Sequence, residues 1–161
     1  MNEHGRSVLL VEDDPNDQLL IKRAASRVGC GDALHIVPDV PAAISYLRGS
    51  GEFSDRTKCP FPDYVITDLR LPGLDGFALL SAVKGNPAWE TLPIIVLSSS
   101  DSPRAVAESY RLRAAAYFSK PHDLGSLELL LKDIFSYWDR ATTAAGAGYA
   151  PFDPPKKSIA A

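Results

Sequence analysis

The stretch DYVITDLRLPGLDG, residues 63–76, joins a short strand pattern to an abrupt break. Residues 64–67 are aromatic or β-branched, which is typical of a buried strand. Asp68 follows where that run ends, and residues 71–76 are rich in turn-forming Pro, Gly and Asp. Ligands of open α/β sheets bind beyond the carboxyl ends of the strands. Asp68 is therefore a candidate nucleophile toward phosphorus, although an Asp that only caps a turn would give the same local pattern.

Short apolar runs and helical patterns alternate through the rest of the chain. Together with the central run, the predicted strands cover residues 6–11, 33–37, 64–67, 92–97 and 114–119. The predicted helices cover residues 18–28, 41–47, 76–84, 104–113 and 124–139. Five strands that alternate with five helices predict an α/β fold, in which a parallel sheet carries helices on both faces.

Two segments lack these patterns. Residues 48–62 are rich in Gly, Ser, Asp and Pro, which predicts a mobile surface loop that could face a partner. Residues 141–161 are dominated by Ala, Gly and Pro without a period, which predicts a flexible tail. The sequence therefore predicts one domain over residues 1–140 and a tail over residues 141–161.

Composition limits the classes of function. The 161 residues suffice for one domain with a core, and the net charge of -3 provides no broad basic field for nucleic acid. No apolar run approaches the roughly 20 residues that span a bilayer, and the N-terminus lacks a signal-peptide pattern. Cys30 and Cys59 are widely spaced, which favours free thiols. We expect a soluble cytoplasmic domain without nucleic-acid or membrane contacts.

Acidic residues follow the first predicted strand. Asp14 and Asp17 are explained by the start of a helix, where acids are favoured and Pro15 fits the first turn. Glu12 and Asp13 precede that cap. Their mutual repulsion destabilises the fold unless a positive charge lies nearby. The pattern predicts a cation site at these two residues, and oxygen ligands favour magnesium or manganese over zinc.

Two more polar residues end strands. Ser98 directly follows the fourth predicted strand, where its hydroxyl could bond a phosphoryl oxygen. The alternative is that the polar run only starts a helix. Lys120 precedes Pro121, which favours extended backbone and directs the ammonium along the strand end toward the acids. A lone lysine is more often a solvated surface charge, but the order of the other strand-end residues favours a role at the site.

Four ordered motifs now carry a family resemblance: VEDD, TDLRLPGLDG, VLSS and FSKP. Over residues 6–140 the chain resembles the receiver domain of two-component response regulators. The resemblance implies a flavodoxin-like, doubly wound, five-stranded parallel sheet of order 2-1-3-4-5. The loop YLRGSGEFSDRTKCPFPD and the SYW sequence near the end of the last helix also resemble single-domain receivers that partner bacterial phytochrome kinases.

The resemblance also implies a role for each motif residue. Asp68 would accept a phosphoryl group from a sensor histidine kinase. Asp13 would bind Mg²⁺ directly, Glu12 would act largely through water, and the main-chain carbonyl of Arg70 would complete the ligands from the protein. The chain would act as a signalling module that takes part in its own phosphorylation and dephosphorylation, rather than as an ordinary enzyme.

Further roles concern the response to phosphorylation. Lys120 would pair with the phosphoryl group, Ser98 would supply the switch hydroxyl, and Tyr117 would be the switch aromatic. Arg70 and Ser100 occupy the positions that tune dephosphorylation in this family, so an unchanged hydrolysis rate in Arg70→Ala would contradict that role.

The last predicted helix carries three aromatic residues, Phe135, Tyr137 and Trp138. All three cannot face inward at this spacing, so we expect at least one of them at an interface. We expect a homodimer through the face built from the fourth helix, the fifth strand and the fifth helix.

Three alternatives stay open on the sequence. A flavodoxin-like cofactor binder would use the same fold, but the acidic loop after the first strand would repel a phosphate. A phosphatase-type hydrolase would carry a second Asp where this chain has Arg70. A degenerate receiver could serve as a scaffold, although the complete set of strand-end residues argues against it.

Overall fold

The computed structural model describes the backbone of residues 6–146 and the side chains of residues 6–141. The strands are β1 (Val8–Val11), β2 (Leu34–Val37), β3 (Tyr64–Thr67), β4 (Ile94–Ser98) and β5 (Ala116–Ser119). The helices are α1 (Pro15–Arg27), α2 (Val40–Arg48), α3 (Gly76–Lys84), α4 (Pro103–Arg111) and α5 (Leu124–Gly146), with short 3-10 helices at Gly31–Ala33 and Gly51–Phe53. The predicted alternation of strands and helices is confirmed.

All strand pairs are parallel, and the sheet has the order β2-β1-β3-β4-β5 that the resemblance implied. The last residue of β1, Val11, lies opposite both Val37 and Thr67. The chain therefore leaves β1 and β3 at the same level, which brings Glu12 and Asp68 to one edge of the sheet. Ser98 and Ser119 are paired at the ends of β4 and β5, so Lys120 follows at that edge too.

The sheet separates two apolar layers. Alternate residues of β1 belong to different layers, with Leu9 and Val11 on the side of α2 and α3 and Val8 and Leu10 on the side of α1 and α5. This alternation follows from the two-residue period of a strand. Because helices cover both faces, the residues of β1, β3 and β4 are all buried.

Of the predicted helices only α3 has the predicted bounds, and the largest differences are at the start of α1 and the end of α5. Helix α1 begins at Pro15 because the Asp14 carboxylate accepts hydrogen bonds from the amides of Asn16 and Asp17. Helix α5 continues past the predicted end at residue 139 to Gly146. The intervening segment is rich in Ala, which has the highest helix propensity, and it contains no Gly or Pro before Gly146. The rest of the predicted tail, residues 147–161, lies outside the described residues.

The long loop before β3 is anchored by Arg56. Its guanidinium donates hydrogen bonds to the carbonyl oxygens of Tyr46 (2.8 Å), Leu47 (2.7 Å) and Cys59 (3.0 Å). Two of these carbonyls belong to the last turn of α2, where they lack partners within the helix. Composition could not reveal that one side chain of this loop caps the preceding helix, and the mobility of the loop stays a prediction.

Two expectations from composition can be compared with the structure. Within residues 6–146, no helix is both long enough and apolar enough to cross a membrane. Cys30 and Cys59 are free thiols, as predicted, and burial raises the pKa of the Cys30 thiol above its ordinary value.

Candidate functional site

The Lys120 ammonium lies between three carboxylates at the carboxyl edge of the sheet. Its Nζ atom is 2.7 Å from Glu12 Oε2, 2.7 Å from Asp68 Oδ2 and 2.9 Å from Asp17 Oδ2. A lysine ammonium has three N–H donors, so this arrangement uses all of them. The parallel strands thus bring together groups that are up to 108 residues apart in sequence.

Burial makes these contacts strong. The exposed fraction of the side chain is 1% for Glu12 and 9% for both Asp68 and Lys120. Burial raises the pKa of Glu12, and this effect exceeds the opposing attraction of Lys120. Burial alone would lower the pKa of Lys120, but its hydrogen bonds to the three carboxylates outweigh that effect and raise it. The lysine is therefore a fixed positive charge at neutral pH.

The backbone after β3 orients the Asp68 carboxylate. Its Oδ1 accepts hydrogen bonds from the amides of Leu69 (2.6 Å) and Arg70 (3.2 Å), while Oδ2 faces Lys120. The amide of Gly76 donates to the Leu69 carbonyl at 2.9 Å, which closes the loop. A Cβ atom on Gly76 would lie 2.4 Å from the Asp68 carbonyl oxygen, so only glycine permits this close approach.

The acids after β1 are arranged differently from the sequence prediction. Glu12 reaches the cluster, but the Asp13 side chain is exposed and is not among the three carboxylates that surround Lys120. The third carboxylate beside Lys120 is instead that of Asp17, for which the sequence predicted only a role at the start of a helix. Its position in the first turn of α1, next to the strand edge, was the only available signal. The metal-binding role of Asp13 stays a prediction.

The predicted switch residues are linked through Ser100. The buried Ser98 hydroxyl accepts a hydrogen bond from the Ser100 amide at 3.2 Å, and the Tyr117 hydroxyl donates to the Ser100 carbonyl. The Tyr117 amide donates to the Tyr110 hydroxyl at 3.1 Å, which ties β5 to α4. The Lys120 amide donates to the Ser98 carbonyl at 2.8 Å. The two predicted switch positions and the lysine therefore form one connected unit.

The donor set fits a hard divalent cation. Glu12, Asp17 and Asp68 each offer a carboxylate oxygen, and these oxygens lie within 4.8 Å of one another. Oxygen donors without sulfur or imidazole favour Mg²⁺ or Mn²⁺. The Arg70 side chain is exposed beside this cluster, and its amide is held by Asp68.

Comparison with known proteins identifies the family. Residues 8–132 match the family model described as the response regulator receiver domain. The chain belongs to the response regulator receiver family. This match covers all five strands, helices α1 to α4, the start of α5 and the loops that carry the site, so the receiver resemblance seen in the four motifs is confirmed.

Similar proteins include phytochrome-associated receivers. Response regulator Rcp1 of Synechocystis sp. is 31% identical over 87% of this chain and 93% of its own length. The structure of the Mn²⁺-bound form of Rcp1 has a TM-score of 0.72, at 32% identity over 83% of this chain and 94% of that chain. The phosphorylated cyanobacterial phytochrome response regulator RcpA has a TM-score of 0.74, at 32% identity over 83% of this chain and 93% of that chain.

A third relative is the response regulator RPA3017 in red light signaling of R. palustris. Its structure has a TM-score of 0.78, at 28% identity over 83% of this receiver and 93% of that chain. The resemblance of this receiver to single-domain, phytochrome-associated receivers is therefore confirmed.

Proposed function

We propose that this receiver accepts a phosphoryl group on Asp68 from a sensor histidine kinase of the bacterial phytochrome type, in a Mg²⁺-dependent reaction. The observation that carries the proposal is the Lys120 ammonium, which contacts the Asp68 carboxylate at the sheet edge at 2.7 Å. The relative RcpA has been solved in a phosphorylated form and Rcp1 in a Mn²⁺-bound form, which supports the assignment. We also propose that this reaction takes place in the cytoplasm.

The chemistry follows from the charges. An Asp68 oxygen attacks phosphorus, a P–O bond forms, and the bond from phosphorus to the donor breaks. Nucleophile and phosphoryl group are both anionic, and the fixed charge of Lys120 offsets their repulsion. Amides of Leu69 and Arg70 hold Oδ1 and so orient the carboxylate.

A bound Mg²⁺ would neutralise further negative charge on the transferring group. Glu12 and Asp68 already present oxygens at the cluster. Asp13 and the Arg70 carbonyl are the further ligands that we propose on the family resemblance.

The proposed switch uses the unit around Ser100. A phosphoryl oxygen on Asp68 would accept a hydrogen bond from the Ser98 hydroxyl. Because the Ser98 hydroxyl also contacts the Ser100 amide, its movement would shift the segment whose carbonyl holds Tyr117. Phosphorylation would thus change the relative populations of two packings of α4 and β5. Arg70 and Ser100 are the positions that we propose to tune the lifetime of the phosphoryl group.

We propose that output leaves through a homodimer built on α4, β5 and α5. Phe135 and Trp138 are buried, whereas the Tyr137 side chain is 52% exposed, as the spacing of the aromatic residues predicted. Tyr110 on α4 is also 37% exposed. Sedimentation with and without a beryllofluoride mimic should show dimers; monomers alone at high concentration would contradict this proposal.

Phosphorylation of Asp68 can be tested directly. Wild-type protein incubated with Mg²⁺ and acetyl phosphate should gain one phosphoryl group on the peptide that contains Asp68, as measured by mass spectrometry. Asp68→Asn should gain none, because the amide is a poor nucleophile and holds no charge for Lys120. Asp75→Asn is a matched control, since Asp75 caps α3 in the same loop and Asn retains the cap. An adduct in Asp68→Asn, or none in the wild type, would contradict the proposal.

A further inference from the structure

Asp17 is a partner of Lys120 that the four receiver motifs did not assign. Its Oδ2 lies 2.9 Å from Lys120 Nζ, and it accepts one of the three N–H donors of the ammonium. The other two donors are used by Glu12 and Asp68. No donor of Lys120 therefore remains for an incoming phosphoryl group unless one of these hydrogen bonds breaks.

The start of α1 does not require this contact. Asp14 already caps the helix by accepting from the amides of Asn16 and Asp17. An acid in the first turn gains from the helix dipole without touching a lysine that is 103 residues away in sequence. The start of α1 therefore does not explain the contact between Asp17 and Lys120.

The three partners of Lys120 differ in how easily they can be released. Glu12 is 1% exposed and Asp68 is 9% exposed, so before the transfer either would be left buried and charged without its counter-ion. The Asp17 side chain is 36% exposed, so water can solvate its carboxylate once the lysine turns away. Asp17 is thus the partner whose release costs least.

We propose that Asp17 is a positioning residue that binds the Lys120 ammonium before phosphorylation. Its hydrogen bond to Lys120 then breaks, and the ammonium binds the phosphoryl group instead. This inference rests on the proposed phosphorylation of Asp68. With acetyl phosphate as donor, a P–O bond to Asp68 forms, the P–O bond to the acetyl group breaks, and acetate leaves. Lys120 keeps its protons and exchanges only a hydrogen bond. The Asp17 carboxylate opposes the reaction, since it competes for Lys120 and repels the new phosphate.

The test compares the rates of phosphorylation of two variants that each lose one negative charge. Asp17→Asn should react with acetyl phosphate about fivefold faster than the wild type, the size expected for removing a partly exposed ion pair. Asp14→Asn removes a charge three residues before Asp17 but retains the helix cap, so its rate should stay near that of the wild type. Each rate is measured at a Mg²⁺ concentration that saturates that variant. A structural disruption would slow the reaction rather than accelerate it.

A second measurement follows the ammonium itself. In the unphosphorylated protein, the ¹⁵N-labelled Lys120 ammonium should exchange its protons faster in Asp17→Asn than in Asp14→Asn. Equal phosphorylation rates in the two variants, or equal proton exchange, would overturn the role of Asp17 while leaving Asp68 as the acceptor. A wild-type protein without any adduct would overturn both proposals, so the two failures are distinguishable.

Discussion

Lys120→Met is expected to lower the free energy of unfolding by about 3–5 kcal/mol at neutral pH without divalent cations, because it leaves buried charges without a counter-ion. Glu12 and Asp68 would then face each other as desolvated anions at the sheet edge. Urea unfolding followed by tryptophan fluorescence measures the change, since Trp89 and Trp138 are both buried. Lys132→Met, at an exposed position on α5, is the control and should change stability by less than about 0.5 kcal/mol.

The loss in Lys120→Met should depend on pH in a defined direction. Burial already raises the pKa of Glu12, and removal of the lysine takes away its largest opposing influence. The folded variant then binds more protons than the unfolded chain as the pH falls, so lowering the pH stabilises it relative to unfolding. The difference from the wild type should therefore shrink as the pH falls toward the ordinary carboxyl range, and added Mg²⁺ should also reduce it. A loss no larger than that of Lys132→Met would contradict the arrangement.

Gly76→Ala is expected to destabilise the protein by about 1–3 kcal/mol, because an added methyl group would overpack the loop after β3. The new Cβ would lie 2.4 Å from the Asp68 carbonyl oxygen and 2.9 Å from Leu69 Cα, and backbone atoms cannot move aside cheaply. The same displacement would turn the Asp68 carboxylate away from the amides that orient it. Urea unfolding gives the stability, and the rate of phosphorylation by acetyl phosphate should fall as well.

Gly125→Ala is the control for the change of residue type. Its Cβ would meet Asp123 Oδ1 at an ordinary 3.5 Å, and alanine is the better helix former at the start of α5. This variant should be at least as stable as the wild type and should phosphorylate normally. If Gly76→Ala behaved like Gly125→Ala, the close approach at Gly76 would not constrain the site.

The strand-end residues show how far the sequence could predict the site. Asp68 and Lys120 each follow a short apolar run, and strands that alternate with helices form a parallel sheet, so their meeting at one edge was predictable. The sheet order 2-1-3-4-5 came from the family resemblance and is confirmed. Predicted helix ends were less accurate, as in α5, because fraying and capping depend on local contacts.

The roles of Asp13 and Asp17 show what sequence patterns could not resolve. Both residues lie near the end of β1, and each had a plausible local reason for being acidic. The direction of each side chain depends on the helix cap at Asp14 and on where Lys120 arrives from β5. Arg56 is similar, because its role as a cap for α2 depends on the path of the whole loop.

By itself, the sequence determined the α/β fold, the phosphoacceptor candidate Asp68 and the lysine expected beside it, because these follow from the order and period of short segments. The tertiary structure alone decided which carboxylates surround Lys120, how much of each is buried and which of them can be released. These properties depend on distances between groups that are 52 to 108 residues apart in sequence, and no local pattern encodes such distances.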